Sequence, residues 1–554
     1  MARNNNQSVS SQTPLRSSAQ DKDEKSSMAD EHKENVDKKQ PTKGRIAGGK
    51  FLEELRGNDD DSSDNDDGPL KEVDMDLPLT LTETKQVNGE EVILLKFASG
   101  DKENPFNWSK KRKSFITWLL NLMTLFIGLA TTAYSSGINS MVEDLGTSNI
   151  MGQMGLFLFN FACAIAPLFL APFCELVGRR IIYAGSYGGF TLCFIGLALG
   201  KNIATILIMR TLLGLFGCVG TILVGGTFSD MFPEDERAKP VAFFSYVAIL
   251  GTMAAPIYSG FINQELGWRW IEGIQGLSNI PLLILVVIFL RETRGGATLQ
   301  KRAKAMRKAT GDERYKAQMD IDTSDVKRML HASSVKAVHM LATEPVVFFF
   351  GLWIAFAWAV TFLFLSVIPV TFQQKRGWAE GVGGLPYISL CIGVTLGYCA
   401  NFLQFRKYDK IGASNSRKVL PEHRLYGSMF GAMWLPIGLY LYSFTQYEYL
   451  PWIAPTISLA PIAFGIFFVF ESCYNFTSDC YGQSASSAIA GQGLMRNTLG
   501  GVAPLFATQF FTGVGSQFAG LILAILATFL SFIPFVLFKY GHKLRERSKL
   551  AKKY

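Results

Sequence analysis

At 554 residues the chain is long enough for about three or four soluble domains, but 18% charged residues against 48% hydrophobic ones, with 43 Phe and 52 Gly, fall short of the roughly 25% charge of a soluble chain. Much of the charge precedes Ser114, and apolar segments recur from there to the end; this excludes an ordinary soluble enzyme and a single-anchor protein. The net charge of +8 lies mostly in flanks and loops of apolar runs, so it gives no argument for nucleic acid.

Residues 1–100 are polar and include the acidic run Asn58-Asp59-Asp60-Asp61-Ser62-Ser63-Asp64-Asn65-Asp66-Asp67. Such a segment cannot bury enough apolar surface to offset its ordering entropy, so an unstructured tail is expected. No apolar stretch follows Met1, and no cleavable signal peptide is expected. Twelve segments then match the roughly 20 apolar residues that cross a bilayer: 114–139, 151–174, 181–199, 203–227, 240–263, 271–290, 345–368, 381–403, 425–446, 451–476, 484–511 and 517–540. The expected organisation is a tail (1–100), a six-helix half (101–290), a basic linker (291–344), a second six-helix half (345–540) and a basic C-terminus (541–554).

Lys and Arg collect in alternate connections. Lys110-Lys111-Arg112-Lys113 precede the first segment, Arg179 and Arg180 follow the second, Arg237 and Lys239 the fourth, and Arg406, Lys407 and Lys410 the eighth. Both termini and the linker are therefore expected in the cytoplasm. All eight cysteines lie in or beside apolar runs and read as small hydrophobes, and the five histidines lie outside the segments. No metal or cofactor is expected. A phosphate-binding Gly-rich loop and a nucleophile motif are also missing, which points away from an ATP-driven pump and from an enzyme.

The halves repeat one another. Glu175-Leu176-Val177-Gly178 after segment two is echoed by Asp409-Lys410-Ile411-Gly412 after segment eight, and Ser229-Asp230-Met231-Phe232 after four by Ser478-Asp479-Cys480-Tyr481 after ten. The expected fold is an all-α membrane protein of twelve transmembrane helices in two pseudo-symmetric six-helix halves, with a site between them.

Ala171-Pro172-Phe173-Cys174-Glu175-Leu176-Val177-Gly178-Arg179-Arg180 resembles the major facilitator signature Gly-x-x-x-Asp-x-x-Gly-Arg-Arg. Asn104-Pro105-Phe106-Asn107-Trp108, Gly267-Trp268-Arg269-Trp270, Pro421-Glu422-His423-Arg424-Leu425 and the block from Asp479 to Pro504-Leu505-Phe506 resemble motifs of fungal twelve-span drug and polyamine:proton antiporters. The span-five antiporter signature of that family is altered at Thr252, Ala255 and Ser259.

Charges inside spans are costly and face a cavity or a partner. Glu471 and Arg210 are candidates for proton coupling or for pairing with substrate charge; the resemblance links the span-four arginine to proton transfer. Asp230, Asp479, Glu175, Arg179, Arg180 and Arg406, at the cytoplasmic ends, are gating candidates, with a salt bridge from Asp230 or Asp479 to Arg179, Arg180 or Arg406 closing the inner mouth. The family implies a cavity lined by spans one, four, seven and ten, offering Asn121, Tyr134, Trp353, Trp358, Phe364, Tyr474 and Asn475, with Arg496 in span eleven.

The expected function is proton-coupled export of hydrophobic or cationic compounds, such as drugs or polyamines, by alternating access. The expected partners are a small-molecule substrate, protons and the lipid bilayer, with no nucleic acid and a monomeric transport unit. The expected location is the plasma membrane, with the vacuolar membrane as the other possibility. The altered span-five signature motivates the alternative of a proton-coupled importer of a small nutrient such as a sugar derivative or carboxylate; the long tail motivates a non-transporting nutrient sensor.

Overall fold

The structure, a computed structural model, describes residues 81–87, 90–233, 236–322, 326–414, 421–548 and 550–551; most of the expected unstructured tail lies outside them. Twelve helical spans follow the twelve apolar segments. Spans one to three are Lys110–Ala133, Asn149–Val177 and Arg179–Ala198. Span four runs from Ile203–Cys218 through a π-helical turn at Val219–Leu223 into Val224–Met231. Spans five and six are Ala238–Leu266 and Trp268–Phe289. Span seven, Pro345–Pro369, also ends in a π turn, and span eight is Tyr387–Ser414. Span nine is broken into Leu425–Gly431 and Trp434–Thr445. Spans ten and eleven are Ile453–Tyr481 and Ala485–Gly513; span twelve is Ser516–Leu530 continued by Ile533–Arg547. Among the described residues, nine helices are long and apolar enough by themselves to cross a membrane; the breaks in spans four and nine and the polar residues of span eleven keep those three below that level.

The packing is two-fold. Within the first half span one packs on five, two on four and three on six; within the second, seven packs on eleven, eight on ten and nine on twelve. The halves meet where span two lies on eleven and five lies on eight. Missing side chains permit the tightest crossings. A Cβ on Gly214 of span four would sit 2.3 Å from the Phe159 carbonyl oxygen of span two, and one on Gly393 of span eight 2.1 Å from that of Ala460 in span ten. These are equivalent crossings in the two halves, and lipid tails supply no hydrophobic drive to replace such close contact.

Beside the end that carries the basic loops lies a small extra layer. Residues 81–87 and 90–96 were expected within the unstructured tail but form two strands: β1 (Leu81–Val87) pairs antiparallel with β2 (Glu90–Lys96). β2 pairs in parallel with β3 (Tyr315–Lys316) of the linker, and Leu95 packs on Ala303 and Ala317. Arg302, on the linker helix Gly295–Thr310, binds Asp101 at 2.7 Å and also Glu103. Burial alone would push the Asp101 carboxyl up, but the Arg302 guanidinium and the Glu103 N–H hold it below the usual carboxylate range. A second linker helix, Val326–Thr343, lies against spans two and eleven.

Candidate functional site

A narrow cavity lies between the halves. Span one contributes Thr124, Gly128 and Thr131; span two Phe159, Asn160 and Cys163; span five Phe244, Ser245, Ala248 and Thr252. The second half contributes Trp358 from span seven, Phe470 and Tyr474 from ten, and Arg496 and Asn497 from eleven. The lining thus comes from spans one, two, five, seven, ten and eleven. Span four, expected in the lining, stands behind, because its Gly214 face is pressed on span two. A smaller space beside it takes in Thr252, Phe364 and Tyr387.

Trp358, Tyr474 and Arg496 line the cavity, and Phe364 lines the adjoining space. Asn121 does not line it; its amide turns back onto the Thr117 carbonyl within span one. Glu471 and Asn475 do not line it either. They bond one another at 2.8 Å, and Glu471 lies in the field of Arg424 and beside Asn401 of span eight. The reason is rotation about the helix axis: Phe470 and Tyr474 face the cavity, and residues one position on point about 100° away. The charge at the cavity is therefore that of Arg496, which is 4% exposed. Its Nε donates to Asn497 Oδ1 at 3.1 Å and its Nη1 to the Tyr474 hydroxyl. Its guanidinium lies 5.3 Å from the Trp358 ring centroid and 5.6 Å from that of Phe470.

A second polar cluster adjoins the cavity toward the end opposite the basic loops. Arg210 is fully buried and does not reach outward along the helix. Its Nη1 and Nη2 donate to the carbonyls of Ala130 and Thr131 at 3.1 and 3.0 Å, and its guanidinium stacks 4.3 Å from the Tyr134 ring and 4.9 Å from Phe159. The acid in its field is Glu272 of span six, which the sequence analysis passed over. Glu272 is 3% exposed, and its Oε2 has no hydrogen-bond partner among the described residues. Glu272, Gln275 and Asn279 are all buried and form one polar stripe at i, i+3 and i+7 of span six. That spacing in an otherwise apolar segment was the available signal.

At the basic end the repeat becomes geometry. Arg179, first residue of span three, binds Asp230 at the end of span four at 2.5 Å, and Arg294 joins at 3.2 Å. Arg424, just before span nine, binds Asp479 at the end of span ten at 2.6 Å. Both pairs lie inside their own half, so neither bridges the mouth, and Arg424 stands where Arg406 was expected. Arg406 and Arg180 are exposed; Arg180 Nη2 donates to the Val287 carbonyl. Gly178, with φ of 96°, makes the turn between spans two and three, and Glu292 accepts from the N–H groups of Arg179 and Arg180 at the start of span three. The Glu175 side chain lies outside the described residues.

At the other end the halves touch directly. Asn263 Nδ2 donates to Glu380 Oε2 at 2.6 Å, the Gly381 N–H donates to Gln264, and a Cβ on Gly384 would sit 2.3 Å from the Pro256 carbonyl oxygen.

Two pseudo-symmetric six-helix halves around a central cavity define a membrane transporter architecture. Residues 120–504 match the Major Facilitator Superfamily, and the chain belongs to that family. It is 31% identical over 460 residues to the "MFS-type efflux pump MFS2" of Trichophyton rubrum, covering 83% of this chain and 77% of the relative. It is 30% identical over 490 residues to the "Major facilitator superfamily multidrug transporter mdrA" of Aspergillus fumigatus, covering 88% and 80%. It is 31% identical over 452 residues to "Multidrug transporter TPO1_1" of Candida glabrata, covering 81% and 79%. Among solved structures, the partially occluded inward-open xylose transporter XylE of E. coli aligns with a TM-score of 0.52 at 16% identity, over 77% of this chain and 98% of that one, a likeness of fold.

Proposed function

We propose that the protein is a proton-driven exporter of hydrophobic and amphipathic small molecules. The observation that carries this is the central cavity, whose aromatic and small apolar walls are interrupted by hydroxyl and amide groups, the Cys163 thiol and one cation. Such a lining accepts varied apolar bodies by area and shape rather than by one fixed set of hydrogen bonds. The efflux and multidrug names of its relatives support outward transport over nutrient uptake. Cationic cargo, part of the expectation from resemblance, finds no carboxylate among the lining residues.

Coupling falls to Glu272 and Arg210. A carboxylate with an unpartnered oxygen beside a buried guanidinium takes a proton without breaking a hydrogen bond there. Thr131 and Phe159 touch both Arg210 and the cavity, so protonation and occupancy act on shared residues. Asp230 and Asp479, with Arg179 and Arg424, keep the ends of spans three and four and of nine and ten as rigid tips that part when the basic end opens. Arg180 and Arg406 rim that mouth. The unit is a monomer in the plasma membrane, with both termini and the basic loops in the cytoplasm.

The test is flux of a lipophilic dye in proteoliposomes under an imposed pH gradient. Antiport accumulates the dye in the acidic compartment whatever the orientation of the protein. Accumulation in the alkaline compartment identifies a symporter and overturns the export reading; the absence of any gradient dependence overturns proton coupling.

A further inference from the structure

We propose that Arg496 forms an anion subsite in the central cavity, so that the favoured cargo is an aromatic or aliphatic body carrying a carboxylate or similar oxyanion. This rests on the transport reading of the same cavity and names its substrate class.

The argument begins with charge balance. Arg496 is buried at the cavity wall, and among the described residues it makes no ion pair and no carboxylate lines the cavity. A guanidinium carries five N–H donors. Two hydrogen bonds are formed, to Asn497 Oδ1 and to the Tyr474 hydroxyl, and both acceptors are neutral. A buried charge without a counter-charge is costly, and a cavity is where an incoming ligand supplies one. The contrast with Arg210, Arg179 and Arg424 is direct, since each of those lies in the field of an acid.

The surroundings fix the geometry. Asn497 is itself anchored across the seam between the halves, its Nδ2 donating to the Cys163 carbonyl of span two at 3.1 Å, so the acceptor that holds the guanidinium is fixed. Trp358 and Phe470 flank the cation, and they give an apolar body a surface next to the charged head. A planar fork presented this way matches an oxyanion through two parallel hydrogen bonds. The energetics of transport agree. An anion leaving and a proton entering both carry positive charge inward, so an inside-negative potential drives both movements.

The experiment measures binding to the full-length protein in nanodiscs at neutral pH with three probes of one shape: 2-naphthoate, 2-naphthamide and (2-naphthyl)methylammonium. The wild type is expected to bind the carboxylate about tenfold or more tighter than the other two, the order of a charge-assisted hydrogen bond. In Arg496→Gln that preference disappears while the amide still binds, which certifies the fold; Arg496→Lys keeps the charge but not the fork, and retains part of the preference. Equal binding of amide or ammonium by the wild type, or an undiminished carboxylate preference in Arg496→Gln, overturns the subsite. Flux is a separate reading: carboxylate that binds but is not moved refutes transport and leaves the site standing, whereas transport of the dye without carboxylate preference does the reverse.

Discussion

Glu272 and Glu471 are both buried carboxylates inside spans, and their partners separate their roles. Glu471 is held by the Asn475 amide and lies in the field of Arg424, whereas Glu272 has an oxygen with no partner among the described residues and Arg210 in its field. Glu272→Gln preserves size but cannot titrate, so gradient-driven accumulation is expected to fall to the background of empty vesicles while substrate counterflow survives. Glu471→Gln is expected to keep gradient-driven transport. Proteoliposome flux of the two variants side by side decides this, and the reverse pattern would return the proton to Glu471. The sequence made Glu471 legible as a charge inside a span but not its azimuth, and Glu272, at the edge of segment 271–290, was not singled out. Glu471 lies well inside span ten, yet one residue of rotation turns it from the cavity that Phe470 and Tyr474 face. Asp230→Asn tests the basic-end pair in the same spirit. It leaves Arg179 buried without its partner, a loss of about 3–5 kcal/mol for a buried pair, read as a lower unfolding midpoint in detergent.

Among the elements, the twelve spans were legible because each is an apolar run of bilayer length, and the two halves because short motifs recur at equivalent ends. The altered span-five signature illustrates what was not legible. Thr252 and Ser259 read as departures, but the Thr252 hydroxyl is satisfied by the Ala248 carbonyl within span five at 2.8 Å, and the Ser259 hydroxyl meets that of Ser136 at 2.7 Å, which ties span five to the turn after span one. The strand pair 81–87 and 90–96 was missed because its pairing partner lies more than two hundred residues away in the linker. Its attachment is pH-dependent with a definite sign. Because the Asp101 carboxyl is held low in the folded state, its contribution is fully present above about pH 4, the unfolded value, and is lost as pH falls through the depressed one. Protease cleavage near residues 81–96 is therefore expected to accelerate only in acid, and Asp101→Asn should abolish that dependence. The linker helix Val326–Thr343 is docked by a different device. Pro172 has no N–H for the Leu168 carbonyl one turn back, and Ser334 Oγ donates to that carbonyl at 2.8 Å. Ser334→Ala is expected to weaken docking by about 1 kcal/mol, seen as faster proteolysis within the linker. Unchanged cleavage would show that the bond contributes nothing to holding the helix.

For the molecule as a whole, alternating access requires two seams that open in turn, and the seam away from the basic loops is described in atomic detail. Span five meets the segment before span eight there with almost no side chain between them: Gly260 lies against the Glu380 carbonyl and Gly384 against that of Pro256. Asn263 and Glu380 add a polar clasp beside this contact. Backbone against backbone has no side chain that can swing aside, so the contact either closes fully or parts. A methyl group at Gly384 would fall 2.3 Å from a carbonyl oxygen, far inside van der Waals contact, and the atom it meets belongs to a helix that cannot yield locally. Gly384→Ala is therefore expected to hold this seam apart and shift the population toward the state open on that side. Ser259 is fully buried behind the seam and serves as a reporter position. With Ser259→Cys in both backgrounds, a membrane-impermeant maleimide is expected to label the Gly384→Ala protein at least about tenfold faster, the effect of a shift near 1.4 kcal/mol in the opening equilibrium. Dye export should slow in parallel, because each cycle must close this seam before the cavity can load from the other side. Equal labelling rates in the two backgrounds would mean that the seam already stands open much of the time, and that the close glycine contacts do not control access to the cavity.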